Sequence, residues 1–450
     1  MLNKKDVYLK IIEWFILLQP VVDFLTSLSV RFITFPLTFG IVVRVIFTGL
    51  MCFYLVFFYK EKSKRILVGY LLAVVAYGVL FIGFQVATAG TGVLVENAKM
   101  FFKTFYFLFV MVFFFARYKE TGYLISDKLL AVVFAEYTLS IFLSAVTNTS
   151  FVSYEFATGY VGWFYAANEV GAIVAVLGPV ALLFAFETKK LWAKLSLGFL
   201  FCFSAVYIGT KVPYYAAVGA LVLLMVMYFA KILRTKKGME FMVQGAAVML
   251  SLVLLYQLNS PIKQNSAFFA GENFDSHVTD VLDPDEEEPD HPEQNITNGE
   301  KKSKLFLMLN WFLSDRLYYA ENAINSYAEA GPAHKLIGLG NHFQLRDGRT
   351  LIEMDFLALL INNGLIGLTL FCAPIAYFAI ACIMMLFKNI KYFFRMRREI
   401  LYTYAVLIGM GGALVAGHVL VAPAVSVYVA LLIIKLYASF KEEKYKEIST

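Results

Sequence analysis

LSDRLYYAENAINSYAEAGPAHKLIGLGNHFQLRDGRTLIEMDFLALLINNGLIG, residues 313–367, is where a long polar segment runs back into apolar sequence. Arg316, Lys335, His342, Arg346, Glu353 and Asp355 crowd this one boundary. Ionisable groups are costly next to hydrocarbon, so such a gathering implies a polar ligand or chemistry. Most of the chain on either side is apolar.

The apolar fraction is 60% and the mean hydropathy +0.69, against roughly 45–50% apolar residues in a soluble domain. The excess falls in blocks of about 20 residues, the length a helix needs to cross a bilayer. This predicts an all-α polytopic membrane bundle of about 12 spans, near 7–28, 34–58, 65–87, 98–116, 123–147, 166–186, 192–209, 212–231, 240–258, 360–387, 399–418 and 421–440. Alternate loops are basic (60–65, 117–119, 189–194, 231–237, 388–398), which places both termini in the cytoplasm. No cleavable leader is expected, because Glu13 and Asp23 interrupt the first apolar block. The +6 charge is spread over these loops and does not indicate nucleic acid. Cys52, Cys202, Cys372 and Cys382 all lie in apolar blocks without CxxC spacing and read as small core residues.

Three parts follow. Residues 1–258 hold nine spans. Residues 259–352 form one large extracytoplasmic loop, with a mobile acidic part (259–300) and a helical part (303–352) lying on the membrane. Residues 353–450 hold a re-entry helix, three spans and a cytoplasmic tail. The acidic run 280–294 lacks the spaced ligands of a calcium loop, and no metal or cofactor motif is evident.

Several spans carry charge. Asp23 and Arg44 suit an internal ion pair, or Arg44 an anion. Lys99 and Lys103 are one turn apart and share a face, able to grip one anionic group or to snorkel to the surface. Asn168 and Glu169 open the sixth span, with Trp163 and Tyr165 as interfacial anchors. Lys211 tips the tight turn Gly209-Thr210-Lys211, where short outer loops otherwise lack positive charge, and reads as a phosphate ligand.

Four stretches, in order, carry a resemblance: GWFYAANEVGA (162–172), IGTKVPYYA (208–216), SDRLYYAENAI (314–324), and IGLGNHFQ (337–344) followed by EMDFLALLINNGLIG (353–367). The chain resembles the O-antigen ligase and Wzy-type polysaccharide polymerase superfamily, whose spans open with Asn-Glu, whose outer loop carries an "SGR…W" helix, and whose re-entry helix follows a Gly-x-Gly turn. Lys211 stands where many members have arginine, and Glu353 where many ligases have histidine. The resemblance implies a GT-C-like bundle and a metal-independent transfer of a glycan from polyprenyl diphosphate to an acceptor hydroxyl outside the cytoplasmic membrane, with polymerisation favoured over ligation. Arg316, Lys211, Lys103 and Arg44 would hold the diphosphate. Glu353, Asp355 or His342 would be the base, and Asn168, Glu169, Tyr319 and Arg346 would bind substrate. The implied partners are the lipid-linked oligosaccharide, membrane lipid and other glycan assembly proteins. A transporter or flippase of the same saccharides would show two repeated halves, and none is visible. A non-enzymatic scaffold would not gather Lys211, Arg316 and Glu353 in one cavity.

Overall fold

A computed structural model describes residues 4–33, 37–152, 158–188, 190–258, 260–265, 316–344, 352–390 and 397–441. The acidic run 280–294 and Arg346 lie outside these residues. Tyr319 is placed by its helix alone.

The chain is an all-α membrane bundle. α1 (Lys4–Leu17) and α2 (Gln19–Phe32) form one span bent by 48°. Pro20 causes the bend, since it lacks an N–H and its ring crowds the preceding turn. α3 (Phe39–Phe57), α4 (Lys64–Ala89), α5 (Leu94–Thr121) and α6 (Asp127–Val146) follow. A two-stranded antiparallel hairpin, β1 (Phe151–Val152) and β2 (Tyr160–Gly162), then leads into α7 (Ala167–Glu187), α8 (Leu191–Tyr207), α9 (Lys211–Thr235) and α10 (Met239–Gln257). α11 (Arg316–Glu329) and α12 (Pro332–Ile337) precede the last three long helices, α13 (Asp355–Lys388), α14 (Arg397–Val415) and α15 (Pro423–Lys441).

Among the described residues, 10 helices are long and apolar enough to span; the bent pair adds an eleventh. The 17-residue α8 is the twelfth traverse of the sequence reading. α7 and α15 are buried along nearly their whole length, as helices apolar on every side should be. They form the axis on which α5, α6, α9, α14 and α13 pack. Because the traverses alternate, the starts of α5, α7, α9, α13 and α15 share the end of the bundle that carries the 259–352 segment, here the loop-bearing end.

α11 sits at the loop-bearing end, ahead of α13. Its Ala323 packs against Leu339 and Ile361, with Tyr327, Phe343 and Leu357 around them. The helix is thus docked on α13 and on the turn before it.

Candidate active site

α13 is not continuous. Gly364 adopts φ 62°, ψ −174° and divides it into a short outer piece and a membrane-length inner one. Such a break orphans the last carbonyls of the outer piece. Three of them receive a donor from elsewhere. The Leu339 and Gly340 amides donate to Ile361 O (2.9 Å) and Asn362 O (3.1 Å). The Tyr77 hydroxyl donates to Asn363 O (2.5 Å) and lies 3.0 Å from Ile337 O. From α4, Gln85 holds the Gly338 carbonyl at 2.9 Å. The Gly-Leu-Gly turn therefore plugs the broken helix. The fit requires glycine on both sides: a Cβ on Gly338 would lie 2.1 Å from Asn362 O, and one on Gly364 would lie 2.4 Å from Leu336 O.

This joint fixes the residues around it. Arg316, at the start of α11, pairs with Glu353 at 2.7 Å (Nε to Oε2), and the Glu353 side chain stays 38% exposed. Asp355 is 2% exposed. Its Oδ1 accepts from the His418 amide (2.7 Å), and its Oδ2 from Val419 (3.0 Å) and Leu420 (2.7 Å). The carboxylate thus closes the α14–α15 turn, where His418 holds an uncommon φ of 57°. Gly417 presses on the same segment so closely that a Cβ would lie 1.5 Å from Glu353 O.

His342 is part-buried against α5. Asn97 accepts from the Asn341 amide (3.0 Å) and donates to Val93 O (3.0 Å), which fixes its orientation. Its Nδ2 then faces His342 Nδ1 at 3.2 Å, so the ring proton is assigned to Nε2. Burial lowers the pKa of this imidazole. Glu96 opposes the shift and His334 adds to it.

A second group of predicted residues meets in a cavity of about 230 Å³ at the loop-bearing end. Arg44, Lys99, Lys103 and Glu169 line it, with Asp23, Tyr165 and Pro423. Buried Arg44 donates to Asp23 (2.5 Å) and to Gln19 Oε1 (2.9 and 3.2 Å), and Asp23 also accepts from Tyr137 (2.5 Å). Among the described residues, no carboxylate lies within 4.0 Å of Lys99 or Lys103. Two like charges at i, i+4 repel unless an anion joins them.

The two groups adjoin along one turn. Leu420 binds Asp355 and Pro423 lines the cavity, and three residues reach at most about 11 Å. Lys211 begins α9 beside this turn, since Val212 and Val419 both approach Gly412. Asn168 sits in the first turn of α7 next to Glu169. Among the described residues, Lys211, Arg316, Glu353 and His342 are not in the cavity wall. A larger cavity, about 790 Å³, opens at the opposite end. Its Lys435 and Arg398 are already matched by Asp127 (2.9 Å) and Glu187 (2.8 Å). We place the site at the smaller one, where Arg44 is matched by Asp23 but Lys99 and Lys103 have no carboxylate within 4.0 Å among the described residues.

A family model described as O-antigen ligase like membrane protein matches residues 5–443. The chain belongs to that family. No curated protein matches it. The O-antigen ligase like family points to a polysaccharide ligase or polymerase role. Within this member, the four stretches behind the resemblance occupy the loop-bearing end: the start of α7, the start of α9, α11, and the plugged joint of α13. Sequence reasoning passed over Tyr77, Gln85 and Asn97. Each is a polar side chain in an apolar span, a signal that was present but is weaker than a charge. It also passed over His418, which sequence position alone does not link to Asp355.

Proposed function

We propose that the chain transfers a glycan from a polyprenyl diphosphate to a sugar hydroxyl on the outer face of the cytoplasmic membrane, with both termini inside, and that the step is polymerisation. The observation that carries this reading is the Lys99–Lys103 pair, which shares the cavity wall with Asp23 and Glu169 yet has no carboxylate within 4.0 Å among the described residues. Neighbours at i, i+4 stand about 5–6 Å apart at Cβ, a spacing suited to one diphosphate. The lysines place the diphosphate in this cavity, and the sugars extend toward the 259–352 segment.

In the reaction, the acceptor oxygen attacks the anomeric carbon, the bond from that carbon to the phosphate oxygen breaks, and the acceptor proton passes to a base. Charge grows on the departing diphosphate. Fixed cations in a partly dry site stabilise it, at about 3 kcal/mol for a well-placed donor. Lys99, Lys103 and Arg44 supply this charge from the cavity wall, and Lys211 and Arg316 from the adjoining turn and helix.

Of the three candidate bases, Glu353 suits the role best. Asp355 has its oxygens occupied by three amides and is shut from solvent. His342 turns its acceptor nitrogen to Asn97 and presents a donor. Glu353 is reachable, and Arg316 holds it in place. An acid at this position, where many ligases have histidine, also favours polymerisation for capsule, exopolysaccharide or a similar surface glycan. The test is in-cell glycan profiling of Lys103→Gln, Arg316→Ala and Lys211→Ala beside a deletion, with membrane insertion verified. Loss of polymer with accumulation of short lipid-linked units supports the reading. Normal polymer in all three removes the diphosphate site.

A further inference from the structure

Arg31, in the last turn of α2, stands at the rim of the cavity close to two aromatic rings. Its Cζ lies 3.9 Å from the centroid of Phe151 on β1 and 5.3 Å from that of Tyr165. The flanking Val30 and the ring of Tyr165 both line the cavity. Tyr165 is 53% exposed, although it is a large aromatic side chain. Both rings lie within cation–π distance of the guanidinium carbon. The five N–H donors of the guanidinium lie along its edges, and only two weak bonds engage them, to Ser27 Oγ and Phe164 O, both at 3.5 Å. No carboxylate approaches within 4.0 Å among the described residues.

A planar fork of donors beside two aromatic rings fits a planar carboxylate in two-point fashion. An exposed tyrosine ring beside it fits the apolar face of a sugar. We infer that Arg31 and Tyr165 form a sugar subsite selecting a glycan unit that carries an anionic substituent, a uronate carboxylate in the first instance. The subsite rests on the transfer reading above and names its substrate class. It explains why a cation sits here, beyond the lysines that face the diphosphate. The helix C-terminus alone would also favour a cation at this position, and the test separates the two accounts.

The full chain in lipid nanodiscs is probed by ligand-observed saturation-transfer NMR with glucuronate, glucose and inorganic pyrophosphate. Wild type is expected to bind glucuronate in preference to glucose. Arg31→Gln should lose at least about tenfold of that preference, the 1.4 kcal/mol within reach of one charge-assisted contact. Tyr165→Ala, an exposed change that keeps the fold, should weaken glucuronate as well. Lys103→Gln should bind pyrophosphate about tenfold more weakly and keep glucuronate. Equal glucuronate and glucose signals in wild type overturn the subsite, as does an unchanged preference in Arg31→Gln or Tyr165→Ala. If Arg31→Gln loses pyrophosphate and wild type ignores glucuronate, Arg31 belongs to the diphosphate site and the inference is wrong. If glucuronate binds as stated while Lys103→Gln holds pyrophosphate as wild type does, the subsite stands and the diphosphate reading fails.

Discussion

Replacing Gly338 with alanine drives a Cβ to 2.1 Å from the Asn362 carbonyl oxygen, at a residue whose φ of 115° and ψ of 157° suit glycine alone. The turn must move out of the α13 break. Backbone strain of this kind costs about 1–3 kcal/mol. Leaving the break also forfeits the Leu339 and Gly340 bonds to Ile361 and Asn362, each worth about 0.5–1.5 kcal/mol net. The local penalty is therefore about 2–6 kcal/mol. At 1.4 kcal/mol per decade, amide exchange at Leu339 and Gly340 should speed up by roughly thirtyfold to twenty-thousandfold. Hydrogen exchange with mass spectrometry on the purified chain in nanodiscs reads this directly. Gly49→Ala is the control. It lies within α3, and a Cβ there meets nothing within 4 Å, so it should be neutral or gain up to about 1 kcal/mol of helix propensity. Wild-type exchange at 339 and 340 in Gly338→Ala would refute the plugged joint and the positioning of Glu353 that depends on it.

Asp355→Asn puts an amide where three backbone N–H groups point; loss of charge-assisted bonds should cost about 3 kcal/mol, seen as lower thermal stability, while protein that remains folded keeps transfer activity. Lys103→Gln should weaken inorganic pyrophosphate binding about tenfold, as one charge-assisted contact implies, with the melting temperature unchanged or raised because a like-charge repulsion is removed. His342 supplies the pH dependence. Burial holds its folded pKa below the ordinary 6.5, so the unfolded chain binds the proton first as pH falls. Its contribution is complete above about 6.5 and is lost as pH drops through the folded value. Thermal melts should show wild type losing stability on acidification relative to His342→Gln, and parallel curves would contradict the burial of the neutral ring.

The spans were legible because lipid demands a continuous apolar run, a requirement written residue by residue. Only the edges of that rule blurred: α8 is a 17-residue helix, and Pro20 bends the first span. Gly364 and Gly367, in the stretch 353–367, permit a kink or close helix contact. They did not say which segment would fill the break, since the partner Gly338-Leu-Gly340 reaches it only through tertiary packing. The β-hairpin at 151–162 was not anticipated within an all-α reading; two and three residues of strand leave too short a pattern. Arg44 was read as either an ion pair or an anion ligand, and the geometry allows both, because Asp23 and Arg44 pair while also lining the cavity. Glu353 and Asp355 looked alike as carboxylates at one boundary. What separates them is the α14–α15 turn, more than sixty residues later in sequence, whose amides claim Asp355.

The central claim is that Glu353 takes the acceptor proton while the neighbouring cations hold the diphosphate. Single-turnover release of polyprenyl diphosphate from the lipid-linked donor, measured on Glu353→Gln in nanodiscs beside wild type, tests it most directly. Loss of a general base predicts transfer slower by about 10²–10⁴-fold with donor binding preserved. Transfer at the wild-type rate in Glu353→Gln would contradict the account.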